Sequence, residues 1–273
     1  MLKIFKATKT LENFNKNLKY TSNKSESELL IVGGKKINLE EFPNLKGIFK
    51  TGVGVDNIPF EEAKKRGVLI ELPSKGTCEI IYNETSSFAS HFILNHVYKD
   101  KGDFDTWQKN IRKAFERYNV LVVGAGNIGS RVVKKLSLFC NVSVFDITLN
   151  NYHSLDKMLS DADIVSIHLP LSTSTRDLFN SKKLSILKDG ALIVNTSRAH
   201  IINEKHLFNE LESKRIYAAI DVFWDEPYDG ILNNIQTEHL IKTPHIASTC
   251  SDFLIGMSND FLNFHNKILH HEF

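Results

Sequence analysis

Val120-Leu-Val-Val-Gly-Ala-Gly-Asn-Ile-Gly-Ser130, running on to Val142-Ser-Val-Phe-Asp146, is the stretch on which the reading of this chain turns. Val120 to Val123 form a continuous apolar run, the composition of a strand buried on both faces, and Gly124, Ala125, Gly126, Asn127, Ile128 and Gly129 follow it directly. This is G-x-G-x-x-G on a strand end. In such a turn the first glycine permits the tight bend, the second lets a pyrophosphate approach the backbone, and the third lets the next helix pack against the strand. Ser130 to Phe139 is the expected helix, whose unpaired amides and positive dipole end face the phosphates, so no basic side chain is required there. The second apolar run, Val142 to Phe145, ends in Asp146, close to where an acidic residue meets the adenine ribose. A carboxylate at that point accepts bonds from both ribose hydroxyls and repels a 2′-phosphate. No Arg follows through Asn150, which favours NAD over NADP. A bare glycine pattern is weak; strand, helix, second strand and terminal Asp in register make a dinucleotide site. The rivals are a tight βαβ turn that binds nothing and a methyltransferase site for a nucleoside-type cofactor, which does not need the third glycine.

The alternation extends in both directions from this unit. After Asp146 come a helix at about Ser154 to Leu159, the strand Ile164 to Leu169, a helix at Ser181 to Leu187, the strand Ala191 to Asn195, a helix at Glu204 to Ser213 and the strand Ala218 to Val222. Before it, Leu2 to Lys6, Leu29 to Val32, Gly47 to Lys50 and Val68 to Leu72 read as strands, with a helix from Pro59 to about Arg66 and a poorly specified helix and connection over residues 11–28. Strands alternating with helices at this spacing predict parallel sheets covered on both faces, the first ending near residue 80 as a domain of its own. A helical pattern from Glu84 to about Asn95 leads into the polar stretch Lys99 to Asp105. The last segment, Ser251 to His270, carries apolar residues near helical spacing and is expected to return to the first domain, with a cleft between the two sheets.

The 273 residues suit two domains of ordinary size, and 42% apolar with 24% charged residues is the composition of soluble globular chains. A net charge of +2 without a basic run argues against nucleic acid or an anionic membrane as partner. Cys78, Cys140 and Cys250 are isolated and in no metal-like spacing, so they read as buried thiols in a reducing compartment. The opening Met-Leu-Lys-Ile-Phe-Lys lacks the apolar core of a signal peptide, and no segment has the roughly 20 apolar residues needed to span a bilayer, so a cytoplasmic location is expected.

In an open α/β sheet the ligand sits beyond the carboxyl ends of the strands, so polar residues just after the strands are the ones to inspect. Three groups stand out: Asn195-Thr-Ser-Arg198, Asp221-Val-Phe-Trp-Asp-Glu-Pro227 and Thr243-Pro-His-Ile-Ala-Ser248. Arg198, Glu226 and His245 make a sensible trio for a small acid with a carbonyl or hydroxyl on the neighbouring carbon. A guanidinium grips a carboxylate through two parallel bonds and polarises the carbonyl. An imidazole gives or takes the hydroxyl proton, and a carboxylate on its far nitrogen fixes the tautomer. Taken singly, each also has a bland reading: lone Arg and Glu residues are usually solvated, and a His beside a Pro is usually a turn residue. Lys50 and Lys75 could meet a substrate phosphate, but solvated lysines are the commoner case.

These motifs, in this order, resemble the D-isomer-specific 2-hydroxyacid dehydrogenases, the family of phosphoglycerate, glycerate and D-lactate dehydrogenases. The likeness runs from about Gly47 to Thr249 through Thr51-Gly-Val-Gly-Val-Asp-Asn57, the glycine loop with Asp146, Ala162-Asp-Ile-Val-Ser-Ile-His-Leu-Pro170 with Thr175, and the three groups above. The resemblance implies a Rossmann NAD-binding domain over residues 91–249 and a smaller flavodoxin-like substrate domain made of residues 1–90 and 250–273, both doubly wound parallel sheets. It implies Arg198, Glu226 and His245 as the catalytic residues and the main chain of Val53 and Gly54, with Arg198, as ligands of the substrate carboxylate. It places Gly124, Gly126, Asn127, Ile128, Gly129, Asp146, His168, Pro170, Thr175, Thr196 and Asp221 on NAD, with Pro170 and Asp221 bordering the nicotinamide.

The activity implied is NAD-dependent interconversion of a small D-2-hydroxy acid and its 2-keto acid, in a homodimer formed through the cofactor domain. A cofactor-sensing, corepressor-like binding protein of the same fold is the alternative. Three features depart from the family pattern: the short stretch between Leu2 and Leu29, Ala199-His200 where a Gly commonly follows the Arg, and Trp107-Gln108-Lys109 in place of Trp-Glu-Arg. No regulatory domain is expected after the final helix.

Overall fold

The computed structural model describes residues 2–149 and 152–270. Position 150, where the stretch read for an Arg after Asp146 ends, and the outermost residues of the expected first domain, 1 and 271–273, lie outside the described residues. The chain divides into two units, Met1–Ile81 with Ser248–Phe273, and Tyr82–Ala247.

The first unit holds four parallel strands, β1 (Ile4–Lys6), β2 (Leu29–Val32), β3 (Gly47–Lys50) and β4 (Leu69–Glu71), side by side in sequence order. Alternate residues of a strand face opposite ways, and here both faces are buried. Leu29, Ile31 and Phe49 pack with Phe253, Met257 and Phe261 of the C-terminal helix α7 (Ser251–His270). Leu30, Val32 and Ile48 pack on the other side with Leu39, Phe42 and Ala63, the last from α1 (Phe60–Lys65). Each large side chain so buried contributes about 1.5–3 kcal/mol. The helix expected within residues 11–28 does not form. Turns and one 3-10 turn at Lys24–Glu26 take its place, because Asn, Lys, Ser and Glu give that stretch no apolar stripe to dock. The four strands run in succession, and an isolated parallel bridge of Tyr20 to Ile4, on the side of β1 away from β2, stands where a flavodoxin-like sheet has the strand that reverses its order.

Helix α2 (Lys75–Val97) starts well before the expected Glu84. The Ser74 hydroxyl accepts from the Thr77 amide at 3.3 Å and caps it.

The second unit is a six-stranded parallel sheet. Its order is β6 (Asn141–Phe145), β5 (Asn119–Val123), β7 (Ile164–Ile167), β8 (Leu192–Asn195), β9 (Tyr217–Ile220) and β10 (Leu240–Lys242). One face, with Leu121, Val165 and Ile193, packs against Leu155 and Leu159 of α4 (Tyr152–Asp161), Leu184 of α5 (Ser181–Ile186) and Leu207 and Leu211 of α6 (Glu204–Glu212). The other, with Val120, Val122, Ile164 and Val194, packs against Phe92 and Ile93 of α2 and Val132 and Leu136 of α3 (Gly129–Leu136). Because both faces are covered, the inner strands β5, β7, β8 and β9 are the mostly apolar runs that the sequence shows, whereas the edge strands β6 and β10 are only partly buried. The chain passes from β5 outward to β6 and then to β7 on the other side of β5. The order therefore reverses at the carboxyl ends of β5 and β7, where an α/β sheet opens a crevice for a ligand.

Candidate active site

The glycine loop lies at that reversal point. Gly124 has φ +97°, which a side chain rarely tolerates, and a Cβ there would stand 2.7 Å from the His168 carbonyl oxygen. A Cβ on Gly129 would stand 1.9 Å from the Gly124 carbonyl oxygen, so α3 approaches the turn as closely as a backbone can. At Gly126 a Cβ would meet nothing within 4 Å, leaving the open face that a pyrophosphate needs. Asn127 and Ile128 complete the turn: the Asn127 carbonyl accepts from Arg131 Nη1 at 2.5 Å, and the Ile128 carbonyl from the Val132 amide at 3.0 Å. Asp146 ends β6. Its Oδ2 accepts from the Ala125 amide at 2.8 Å and its Oδ1 from the amide and hydroxyl of Thr148 at 3.0 and 2.8 Å. These donors, Ala125 first, hold the Asp146 carboxyl below the usual carboxylate range. The carboxylate thus staples the glycine loop to β6.

Two polar atoms along the same edge, His168 Nδ1 and Thr196 Oγ1, are buried without a hydrogen-bond partner among the described residues. They follow Ile167 and Asn195, the last paired residues of β7 and β8, and so are neighbours just past the end of the ladder. The His168 ring is held by the Ser166 hydroxyl on Nε2 at 2.8 Å, and burial lowers its pKa to about 4, so it is neutral. A buried polar atom left unpaired costs about 1–3 kcal/mol, and two of them beside the glycine turn fit a polar cofactor lying across the carboxyl ends. Pro170 is exposed just beyond. The Thr175 hydroxyl closes its own loop: it donates to the Pro170 carbonyl at 2.7 Å and accepts from the Ser172 amide at 2.8 Å.

Arg198, Glu226 and His245 follow β8, β9 and β10, three neighbouring strands, so all three emerge on the edge that carries the glycine loop. His245 Nδ1 lies 2.9 Å from both Glu226 oxygens. The Phe223 amide donates to Glu226 Oε1 at 3.1 Å. Burial alone would raise the Glu226 carboxyl. The hydrogen bond and charge of His245, the Phe223 amide and the charge of Arg198 outweigh it and hold the group below its ordinary value. Arg198 opens the 3-10 turn Ala199–Ile201, and its guanidinium donates from Nη1 to the Ser197 carbonyl at 2.8 Å.

Asp221, expected beside the nicotinamide, is fully buried and holds the segment that bears His245. Its Oδ1 accepts from the Thr243 hydroxyl at 2.6 Å and the Ile246 amide at 2.8 Å, and its Oδ2 from the Ala247 amide at 2.9 Å. Burial raises this carboxyl above the usual range even so. Asn195, the last residue of β8, has a structural part in the site. It braces the turn before Arg198, its Oδ1 accepting from the Ser197 amide and hydroxyl at 3.0 and 2.8 Å and its Nδ2 donating to the Arg198 carbonyl at 2.9 Å.

In the first unit, Val53 and Gly54 lie in the loop after β3, which the Asn57 side chain ties to the carbonyls of Gly33 and Lys35 at 2.8 and 2.7 Å. Lys50 corrects the expectation of a solvated lysine. It is only 3% exposed, and its ammonium donates to the Gly33 carbonyl at 2.6 Å, whereas Lys75 is exposed. The three cysteines are half-buried rather than buried, and burial pushes the Cys140 thiol up to about 11. Among the described residues no helix is long and apolar enough to cross a membrane.

Residues 87–247 match the family profile described as D-isomer specific 2-hydroxyacid dehydrogenase, NAD binding domain. The chain is 30% identical over 230 residues to a hydroxypyruvate reductase of Thermotoga maritima, covering 78% of this chain and 74% of that protein. It is 30% identical over 252 residues to a D-3-phosphoglycerate dehydrogenase of Bacillus subtilis, covering 84% of this chain but only 47% of that longer protein. Among solved structures, a D-lactate dehydrogenase from Aquifex aeolicus, complexed with NAD and lactic acid, matches with a TM-score of 0.81 at 21% identity over 98% of this chain and 96% of that one, a likeness of fold.

Proposed function

The chain belongs to the D-isomer-specific 2-hydroxyacid dehydrogenases, with an NAD-binding domain, and from that membership we propose that it interconverts a small D-2-hydroxy acid and its 2-keto acid. The observation that carries this reading is the pairing of Glu226 with His245 Nδ1 on the edge that also bears Arg198 and the glycine loop.

When bound, NADH supplies the hydride that the carbonyl carbon of the keto acid accepts. The chain supplies the rest. Glu226, kept anionic by its neighbours, holds Nδ1 and so presents Nε2 of His245 as the proton donor to the carbonyl oxygen. In the reverse direction the same nitrogen takes the hydroxyl proton. Arg198 grips the substrate carboxylate through parallel N–H bonds and polarises the neighbouring carbonyl. Asp146 would accept from the adenine ribose while continuing to hold Ala125, and the open face at Gly126 would admit the pyrophosphate. The working unit is a homodimer formed through the cofactor domain.

The test is an NADH-oxidation screen against glyoxylate, hydroxypyruvate, pyruvate, phosphohydroxypyruvate and branched 2-keto acids, run beside His245→Gln. At least one acid is expected to turn over, and the variant to lose about 100-fold or more in kcat while still binding NADH. Negligible turnover across the panel with intact NADH binding would replace this reading with cofactor sensing.

A further inference from the structure

Glu226 and Arg198 stand on different loops, one after β9 and one after β8, and the proposed chemistry needs both at a fixed separation. The Glu226 side chain is 35% exposed, so burial does not set its position; the loop must. Two aromatic residues, each two positions from Glu226, fasten that loop. Trp224 Nε1 donates to the Ile202 carbonyl at 3.1 Å, and the Tyr228 hydroxyl donates to Glu204 Oε1 at 2.5 Å. The same phenol oxygen accepts from the Leu232 amide at 2.9 Å, closing the loop on itself, and the Tyr228 ring lies 4.6 Å from Phe223, whose amide bonds Glu226.

Both acceptors lie just beyond Arg198. The 3-10 turn Ala199–Ile201 leads to Ile202, and Glu204 is the first residue of α6. That turn is itself closed by the Ile201 amide donating to the Arg198 carbonyl at 3.2 Å, and Asn195 Nδ2 braces the same carbonyl.

We propose that Trp224 and Tyr228 are positioning residues: their polar tips lock the loop that bears Glu226 to the segment that follows Arg198, fixing the carboxylate that orients the imidazole relative to the guanidinium that binds the substrate. The inference rests on the roles given above to Glu226 and Arg198. If the two rings served packing alone, phenylalanine would do as well; the hydrogen bonds of the indole and phenol are what tie one loop to the other.

The tests are kinetic. Tyr228→Phe keeps the ring and removes both bonds of the phenol, to Glu204 and from Leu232; kcat is expected to fall about tenfold or more with KM for NADH unchanged, the size of effect that lost hydrogen bonds and a small displacement produce. Glu204→Ala, which leaves the aromatic packing alone, should lose a similar factor. The double variant should be no worse than the worse single one, since both remove the same contact. Glu204→Gln keeps an acceptor and should hold kcat within about threefold of wild type. Trp224→Phe is expected to lose about three- to tenfold.

Glu226→Gln serves as the comparator. If it costs about 100-fold while Tyr228→Phe and Glu204→Ala turn over like wild type, the lock is wrong and the assignment of Glu226 stands. If Glu226→Gln is itself without effect, both fall. Losses that multiply in the double variant, or that Glu204→Gln shares with Glu204→Ala, also overturn the lock.

Discussion

His245 adopts φ +55°, a left-handed conformation that costs a non-glycine residue on the order of 1–2 kcal/mol. Something must hold it there, and the three bonds from Thr243, Ile246 and Ala247 to Asp221 bracket the histidine on both sides. Asparagine at 221 could still offer one oxygen to Thr243 and Ile246, but its amide group would face the Ala247 N–H, donor to donor. Asp221→Asn is therefore expected to lose about 1–3 kcal/mol of stability, measured by urea titration, although it removes a buried charge. An unchanged midpoint would show that the bracket does not hold the segment. Glu226 offers a pH test. Its folded pKa is depressed, so its contribution to stability is present above the ordinary carboxylate range and is lost as pH falls through the lowered value. Glu226→Gln has no such dependence. Its melting temperature should fall less than that of wild type on acidification from about pH 5 to pH 3, and parallel curves would contradict the depressed carboxyl.

Two glycines of one turn should separate binding from folding at the scale of the element. Gly129→Ala drives a methyl into the Gly124 carbonyl, so α3 must move off the turn. A loss of about 1–3 kcal/mol in stability is expected along with weakened NADH binding. Gly126→Ala meets open space, so stability should hold while NADH affinity, read by fluorescence titration, drops at least tenfold. Equal NADH affinity in Gly126→Ala and wild type would mean the pyrophosphate lies elsewhere.

These elements were legible in the sequence because continuous apolar runs and strand-end glycines are local signals. The missing helix of residues 11–28, the three-residue edge strand β10 and the early start of α2 carry no comparable signal. An edge strand so short lacks periodicity, and the start of α2 rests on a single cap from Ser74. The site divides the same way. Polar residue types just past strand ends single out Arg198, Glu226 and His245 as the proposed trio, and the Glu226–His245 bond is what the geometry adds to that pattern. That Asp221 turns its carboxylate inward onto the 243–247 segment, that the Thr175 hydroxyl closes its own loop, and that Lys50 is buried are consequences of tertiary packing, which a pattern of residue types does not encode.

At the scale of the molecule, the second unit holds apolar side chains out into solvent by construction. Asp103 and Gln108 exchange two backbone hydrogen bonds of 2.9 Å, and Asp103 Oδ1 accepts from the amide and hydroxyl of Thr106 at 2.8 and 2.9 Å. The turn so formed sets Phe104 and Trp107 edge to face at 5.5 Å while leaving them 82% and 72% exposed, with Ile111 fully exposed close by in sequence. An ordered turn that presents two aromatic rings to water makes sense when a surface covers them, and the proposed homodimer through the cofactor domain supplies one. Aromatic anchors of this kind typically contribute about 2 kcal/mol or more each to an interface. Replacing both Phe104 and Trp107 by Ser should therefore weaken association by at least 100-fold, turning a dimer into a monomer at micromolar concentration in sedimentation velocity. The fold of each chain should persist, read by far-UV circular dichroism, because neither ring belongs to the core. If wild type sediments as a monomer, or the double variant as a dimer, the turn has another purpose. If instead the variant dissociates and its kcat falls with it, the trio on β8, β9 and β10 depends on the partner for its geometry, and assembly is part of the catalytic design.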